Sequence, residues 1–251
     1  MRILLLSDIH ANIDALEACL AAAPKYDVAV NLGDVVGYGA SPNEVIARSR
    51  ALGGLIVRGN HDKACSGVSN MQDFNPVAGL AVLWTRTMLD RANLEWLRAL
   101  PQGPLRVQGL EGVEFVHGSP VDEDEYLLML PDAQRLLSES APGITFFGHT
   151  HVQGGFLTSR DDAAVIRPVY HSTEEPEKFD FELHRGSHYL INPGSVGQPR
   201  DTDWRAGFAF FDSDSWVVTY FRVPYDVQTA QRRIRDADLP ERLAARLTQG
   251  K

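Results

Sequence analysis

The stretch LIVRGNHD, Leu55–Asp62, runs three apolar residues straight into Arg58, Gly59, Asn60, His61 and Asp62. A short apolar run stopped by a glycine turn reads as a buried strand. Packing alone does not call for an amide, an imidazole and a carboxylate side by side at its end. The same arrangement recurs along the chain. Ile3–Leu6 runs into SDIHAN with Asp8 and His10, and Val28–Leu32 into GDVVGYG with Asp34. Val113–Val116 is followed by HGSP with His117, and Ile144–Phe147 by GHTH with His149 and His151. Apolar runs alternating with helix-like segments predict a mainly parallel or mixed α/β sheet with crossover helices up to about Phe147. In such sheets sites assemble at the carboxyl ends of strands, so the loops are expected to converge. An extended backbone would point Asp8 and His10, and again His149 and His151, to one side.

Beyond Gly154 the texture changes. GGFLTS, AVIRPVY, FDFELH, HYLIN, AGFAFFD and WVVTYFRV predict strands and a second sheet up to Tyr225. The tail from about 226 returns to helix with a break at Leu239-Pro240. Two helix starts are well marked: Ser41 with Pro42 and a capping-box Glu44, and Asn75 with Pro76. HSTEEPEKFD, His171–Asp180, reads as a solvated loop or hairpin edge. No repeat or linker divides the chain, so residues 1–251 are expected to form one domain with a helical tail.

Composition limits partners. A net charge of -9 argues against a broad nucleic-acid face, though a local cationic site can still hold phosphate. MRILLLSD is too short an apolar run for a signal peptide or a membrane span. Cys19 and Cys65 match neither a disulfide framework nor a zinc spacing, so a cytoplasmic location is expected. Of the 8 histidines, five lie in the strand-end loops, which a solvated surface does not predict. Singly each loop reads as a turn; together with Asp8, Asp34 and Asn60 they point to a shared metal centre.

The ordered set D-x-H, G-D, G-N-H-D, H, G-H-x-H resembles the calcineurin-like metallophosphoesterases, in particular a short prokaryotic branch that also carries GDVVGYG, HGSP and NPGSVGQPR. The resemblance spans Ile3 to about Phe211. It implies a four-layer α/β/β/α sandwich of two mixed sheets and a dinuclear metal site between sheet edges. Carried over by position, one metal takes Asp8, His10, Asp34 and His151, and the other Asp34, Asn60, His117 and His149, with Asp34 bridging. Nitrogen and oxygen donors without thiolate suit Mn, Fe, Ni or Zn. Two carboxylates against two divalent ions leave local positive charge that attracts phosphate.

The implied activity is hydrolysis of small phosphate esters, phosphodiesters favoured, by attack of a metal-bridging hydroxide. His61 is the catalytic candidate, as stabiliser of the transition state or proton donor to the leaving oxygen. Asp62 either orients it or caps the loop. Asn12 and Arg200 are the substrate-binding candidates, although Asn12 and Tyr38 also read as a turn residue and a packed aromatic. NPGSVGQPR also reads as a tight backbone crossing. Ser119 and Pro120 flank His117, and the carboxylates of Asp122, Glu123, Asp124 and Glu125 either restrict approaching anions or are simply solvated. Arg58 is expected to serve packing or a carboxylate. A phosphoprotein phosphatase is the alternative enzyme, without an obvious insertion to build a peptide groove. A non-catalytic binding module of the same fold is the third class, disfavoured by the retained His61 and the full ligand set.

Overall fold

The structure, a computed structural model, describes residues 1–72, 74–136, 143–159 and 163–251. In chain order the elements begin β1 (Arg2–Leu6), α1 (Ile13–Ala22), β2 (Val28–Asn31), α2 (Pro42–Leu52), β3 (Leu55–Ile56), α3 (Asn60–Ser66), α4 (Pro76–Met88) and α5 (Arg91–Arg98). There follow β4 (Val113–Phe115), α6 (Leu130–Gln134), β5 (Ile144–Phe146), β6 (Gly154–Thr158), β7 (Ala163–Ile166) and β8 (Glu177–Glu182). The chain closes with β9 (His188–Asn192), β10 (Ala206–Asp212), β11 (Val217–Val223), α7 (Val227–Asp236) and α8 (Glu241–Ala245).

Among the described residues the strands form two mixed sheets, ordered β3-β2-β1-β10-β11-β8 and β4-β5-β9-β6-β7. Side-chain alternation explains why they stack. Ile3 and Leu5 of β1 meet Phe115, Ile144, Phe146, Tyr189 and Ile191 of the other sheet in the core between the sheets. Leu4 and Leu6 turn the opposite way, onto Leu16, Cys19, Val45 and Ile46 of the helices outside the first sheet. On the far side Phe147, Phe156 and Leu190 meet Ala133 of α6, completing an α/β/β/α sandwich. Because β1 is covered on both faces it is nearly all apolar, and each of its fully buried leucines and Ile3 stabilises the fold by about 1.5–3 kcal/mol.

The division of strands departs from the sequence pattern. The loops of β1, β2 and β3 belong to one sheet and those of β4 and β5 to the other. The site therefore lies where two sheets bring their parallel strand ends together, not along one edge. Long-range pairing is what periodicity cannot reveal: β1 is flanked by β2, parallel, and by β10, antiparallel and some 200 positions later.

Local expectations fare unevenly. Asn75 caps α4 through Ala78 N–H at 3.0 Å, and the tail breaks between α7 and α8. Ser41 occupies the cap position of α2 but makes no side-chain cap. Its N–H instead donates to Ala11 at 3.0 Å, pinning the loop behind His10. The acidic stretch at His171–Asp180 is half strand, since β8 starts at Glu177, whose carboxylate pairs with the buried Arg205. Cys19 and Cys65 are both free and buried. Among the described residues no helix is long and apolar enough to cross a membrane.

Candidate metal centre

Each loop enters the site as its strand ends. Asp8 and His10 follow β1, Asp34 follows β2, Asn60 and His61 open α3 just past β3, His117 follows β4, and His149 and His151 follow β5. Asp8, His10, Asp34 and His151 place one donor atom each within 4.8 Å of one another, and so do Asp34, His117 and His149. Asp34 is common to both groups. Asn60 joins the second through Oδ1, 3.3 Å from His117 Nε2. All seven expected ligand positions therefore converge.

The backbone brings them there differently from the extended i, i+2 geometry. Asp8, His10, Asp34, His149 and His151 all have positive φ, between 48° and 67°. The strands end before these residues, and left-handed turns aim the side chains; such strain clusters where surrounding structure overrides it. The turns are held by a second backbone. Val196 N–H donates to Ser7 and Gly197 N–H to Asp8, both at 3.0 Å, and Ser195 Oγ donates to Asp8 O at 2.8 Å. NPGSVGQPR is thus a tight crossing over the Asp8 loop, and it also ties Arg200 to the site, its N–H donating to His151 O at 3.1 Å. Gly59 is required by close approach, since a Cβ there would collide with Asp34 Oδ1.

The imidazole tautomers are fixed by carbonyls, which only accept. His10 Nδ1 donates to Val36 at 3.1 Å, His151 Nδ1 to Gln198 at 2.6 Å, and His117 Nδ1 to Leu32 at 2.7 Å. His149 uses Nε2, on Asp124 O at 3.1 Å, leaving Nδ1 for the cluster. Burial first, then neighbouring positive charge, pushes the His10, His149 and His151 pKa values down, so these rings are neutral. Burial opposes protonation of His117 too, but Asp34 and Asp8 outweigh it and raise its pKa. Burial also drives Asp34 well above the usual carboxylate range. For Asp8, His151, His117 and the Ser7 hydroxyl outweigh burial and hold the carboxyl low.

These features test whether the residues fit a metal. With Nδ1 donating, the unprotonated Nε2 atoms of His10 and His151 face each other at 3.0 Å. Two imidazole lone pairs at that separation repel unless a cation lies against both. The remaining ring nitrogens end on carbonyls, the usual support of metal-bound histidine. A dication would likewise hold the buried Asp34 ionised. The donor set fits divalent transition metals.

His61 lies against this cluster without joining it. Its ring packs 4.8 Å from His10, 4.3 Å from Tyr38 and 4.8 Å from Phe74, and its buried Nδ1 has no hydrogen-bond partner. Its backbone N–H donates to Asp34 Oδ1 at 2.9 Å. Asp62 caps rather than orients: its oxygens accept from Gly59 N–H at 2.9 Å and Val36 N–H at 3.2 Å. Burial raises its pKa to about 6.

Several expectations about the surroundings change. Asn12 serves the fold: its Oδ1 caps α1 at Ala15 N–H, and its Nδ2 donates to Gly197 O and Tyr225 Oη. The acidic run is not simply solvated. Glu123 takes Arg58 in two bonds of 2.9 and 2.8 Å, and Lys63 is held by Glu123 and Asp124. Ser119 closes a turn with Asp122. Tyr38 is both a packed aromatic and a partner of Arg200, whose Nη2 reaches its Oη at 3.4 Å. Tyr126, stacked on His149 at 3.8 Å, and Phe74 line the cleft with no sequence signal to mark them. Ser7, donating to Asp8 Oδ2 at 2.6 Å, was within reach of a sequence reading because it adjoins a ligand candidate.

A sequence model of the calcineurin-like phosphoesterase superfamily domain matches residues 1–215, and the chain belongs to that family. The family suggests a hydrolase of phosphate esters that uses divalent metals. A metallophosphoesterase from Sphaerobacter thermophilus has a solved structure 35% identical to this chain, with a TM-score of 0.81 and 100% coverage of both chains. The uncharacterized protein MJ0912 of Methanocaldococcus jannaschii is 34% identical over 99% of this chain and 98% of its own length. The hypothetical protein PH1004 of Pyrococcus horikoshii OT3 shares the fold at 20% identity, with a TM-score of 0.75 and coverage of 100% and 98%.

Proposed function

We propose that the chain is a dinuclear metal-dependent phosphoesterase acting on small phosphate esters, with phosphodiesters preferred. The observation that carries the reading is the pair of abutting donor groups sharing Asp34, with the His10 and His151 lone pairs facing at 3.0 Å. Asp8, His10, Asp34 and His151 would hold one ion, and Asp34, Asn60, His117 and His149 the other. When bound, divalent ions supply charge to neutralise phosphoryl oxygens and acidify water for in-line attack. Mn, Fe, Ni or Zn suits the donors.

The chain's own residues do the rest. Ser7 and the His149 N–H orient Asp8, and the His61 N–H orients Asp34. His61, which lines the cleft beside Asn60 and His149 and packs against His10, is the candidate to give a proton to the leaving oxygen or to donate a hydrogen bond to it. A diester favours this use, because its alkoxide leaves poorly without a proton. Burial pushes the His61 pKa well below its ordinary value, so the ring meets substrate as a hydrogen-bond donor, and passing on a proton would first require the phosphate's charge to protonate it. Arg200, beside Tyr38, is the candidate to meet a phosphate group of the substrate. Metal analysis combined with hydrolysis of bis(p-nitrophenyl) phosphate and p-nitrophenyl phosphate at saturating Mn²⁺ tests the reading. Two ions per chain and a higher kcat/KM for the diester are expected. No bound metal would overturn the centre, and a clear monoester preference would overturn the diester assignment.

A further inference from the structure

The cations around the cleft fall into two kinds. Arg58 and Lys63 are neutralised by Glu123 and Asp124. Arg200 and Arg246 bond no side-chain carboxylate among the described residues. Arg200 Nη2 bonds the neutral oxygens of Tyr38 and Gln198, the guanidinium also meets the Tyr126 hydroxyl, and its buried Nε has no partner. Arg246 Nε donates to a main-chain oxygen of Lys251, the last residue of the sequence, whose carboxylate a bound phosphate would displace. Both guanidiniums lie over the Tyr38 ring, with Cζ 5.8 and 5.9 Å from its centroid. Among neighbouring carboxylates, Asp203 pairs with Arg205 and Asp14 with Arg233, while Asp201 pairs with Arg222 through Oδ2 and keeps a buried Oδ1 without a partner. Burial, and then the charge of Arg200, lowers the Arg246 pKa to about 10, so two cations are held close at a cost.

The tail is built to keep Arg246 there. Leu243, Ala244 and Leu247 are buried in the core outside the first sheet. Gln231 Nε2 donates to Ala244 O at 2.8 Å, and Thr202 N–H to Gly250 O at 2.9 Å, tying the tail to the loop of Arg200. Tyr38 Oη accepts from Arg200 and keeps its own proton to donate. The same ring lies 4.7 Å from His10 and 4.3 Å from His61, so this cationic spot adjoins the candidate metal centre.

We propose that Arg200, Arg246 and the Tyr38 hydroxyl form a second anion subsite that takes a further phosphoryl group of the same substrate, separated from the scissile phosphodiester by a short linker. The inference rests on the phosphoesterase reading and names a substrate class for it: small esters bearing two phosphates. Two guanidiniums and a hydroxyl suit the three oxygens of a terminal phosphate better than a single carboxylate.

The test uses thymidine 5′-(p-nitrophenyl phosphate) with and without a 3′-phosphate, both of which release p-nitrophenolate. Metal-loaded full-length protein should prefer the 3′-phosphorylated ester by about tenfold or more in kcat/KM, as expected for a charge-assisted contact. Arg246→Ala should abolish that ratio, and Arg246→Lys should keep part of it. No preference in a protein that still hydrolyses bis(p-nitrophenyl) phosphate overturns the subsite and leaves the phosphoesterase reading standing. Absence of all hydrolysis overturns that reading instead. The subsite is then judged by calorimetry of thymidine 3′,5′-bisphosphate against thymidine 5′-monophosphate on metal-free protein. Equal affinities, or a difference untouched by Arg246→Ala, overturn it.

Discussion

The two halves of the candidate centre are built from different materials. The half with Asp8, His10, Asp34 and His151 has two carboxylates and two neutral imidazoles, all buried, each histidine backed by a carbonyl. The half with Asp34, Asn60, His117 and His149 exchanges one carboxylate for an amide and opens to the cleft through Asn60 and His149. More charge and less solvent should make the first half the tighter site. The open half, flanked by Tyr126 and Phe74, is the one a substrate oxygen can reach. One ion would serve mainly to hold the centre together and the other to meet substrate.

The strongest blow to this division is removal of what the halves share. Asp34→Ala should lose both ions by elemental analysis and reduce hydrolysis by more than about 10⁴-fold, beyond the loss from any single positioned acid. Retention of two ions would remove the bridge and make the halves independent.

His61→Ala comes next and belongs to neither half. Only the side chain is deleted, so the backbone bond to Asp34 survives. Both ions should stay while kcat falls by about 10² to 10⁴. Loss of an ion would make His61 a support for Asn60 instead.

A smaller effect sharpens the contrast itself. Asn60→Ala should weaken one ion, and chelator titration of the unmodified protein should remove the same ion first. His151→Ala should instead weaken the ion that is the more resistant in the unmodified protein. The reverse order would show that accessibility does not set affinity here.

How far the sequence goes depends on the range over which each feature is decided. That these side chains would come together was legible because every ligand candidate follows an apolar run, and the groups that cluster are the ones the order along the chain picks out. Their conformation was not legible: Asp8 and His10 look like alternating strand residues, yet both are left-handed because Gly197 and Val196 cross over them from far along the chain. The two-sheet split was hidden for the same reason, since β1 chooses β10 as a neighbour through packing and not through any local pattern. Asn12 reads both ways in the sequence because a capping amide and a substrate-binding amide have the same letter, and its place at the start of α1 shows the first use. Tyr126, Phe74 and Arg246 carried no signal, since nothing in an isolated tyrosine, phenylalanine or tail arginine says what it will face.

The smallest expected effect concerns the carboxylate beneath both halves. Asp62 holds the N–H of Gly59, beside Asn60, and the N–H of Val36, whose carbonyl fixes the His10 ring. It therefore braces one loop from each half without reaching a donor group itself. Asp62→Asn keeps the size but leaves only one good acceptor, so one of two buried N–H groups loses its partner at about 1–3 kcal/mol. For a chain of this size that lowers Tm by roughly 2–12 °C, at about 2–4 °C per kcal/mol. Because the amide can turn its oxygen to either loop, the metal content reports which loop needs the brace. Weaker binding of the accessible ion alone means the Gly59 bond matters more. Weaker binding of the buried ion alone means the Val36 bond does. An unchanged Tm together with unchanged affinities would show that the halves are held by β1 and the Val196–Gly197 crossing, and that Asp62 contributes nothing to the difference between them.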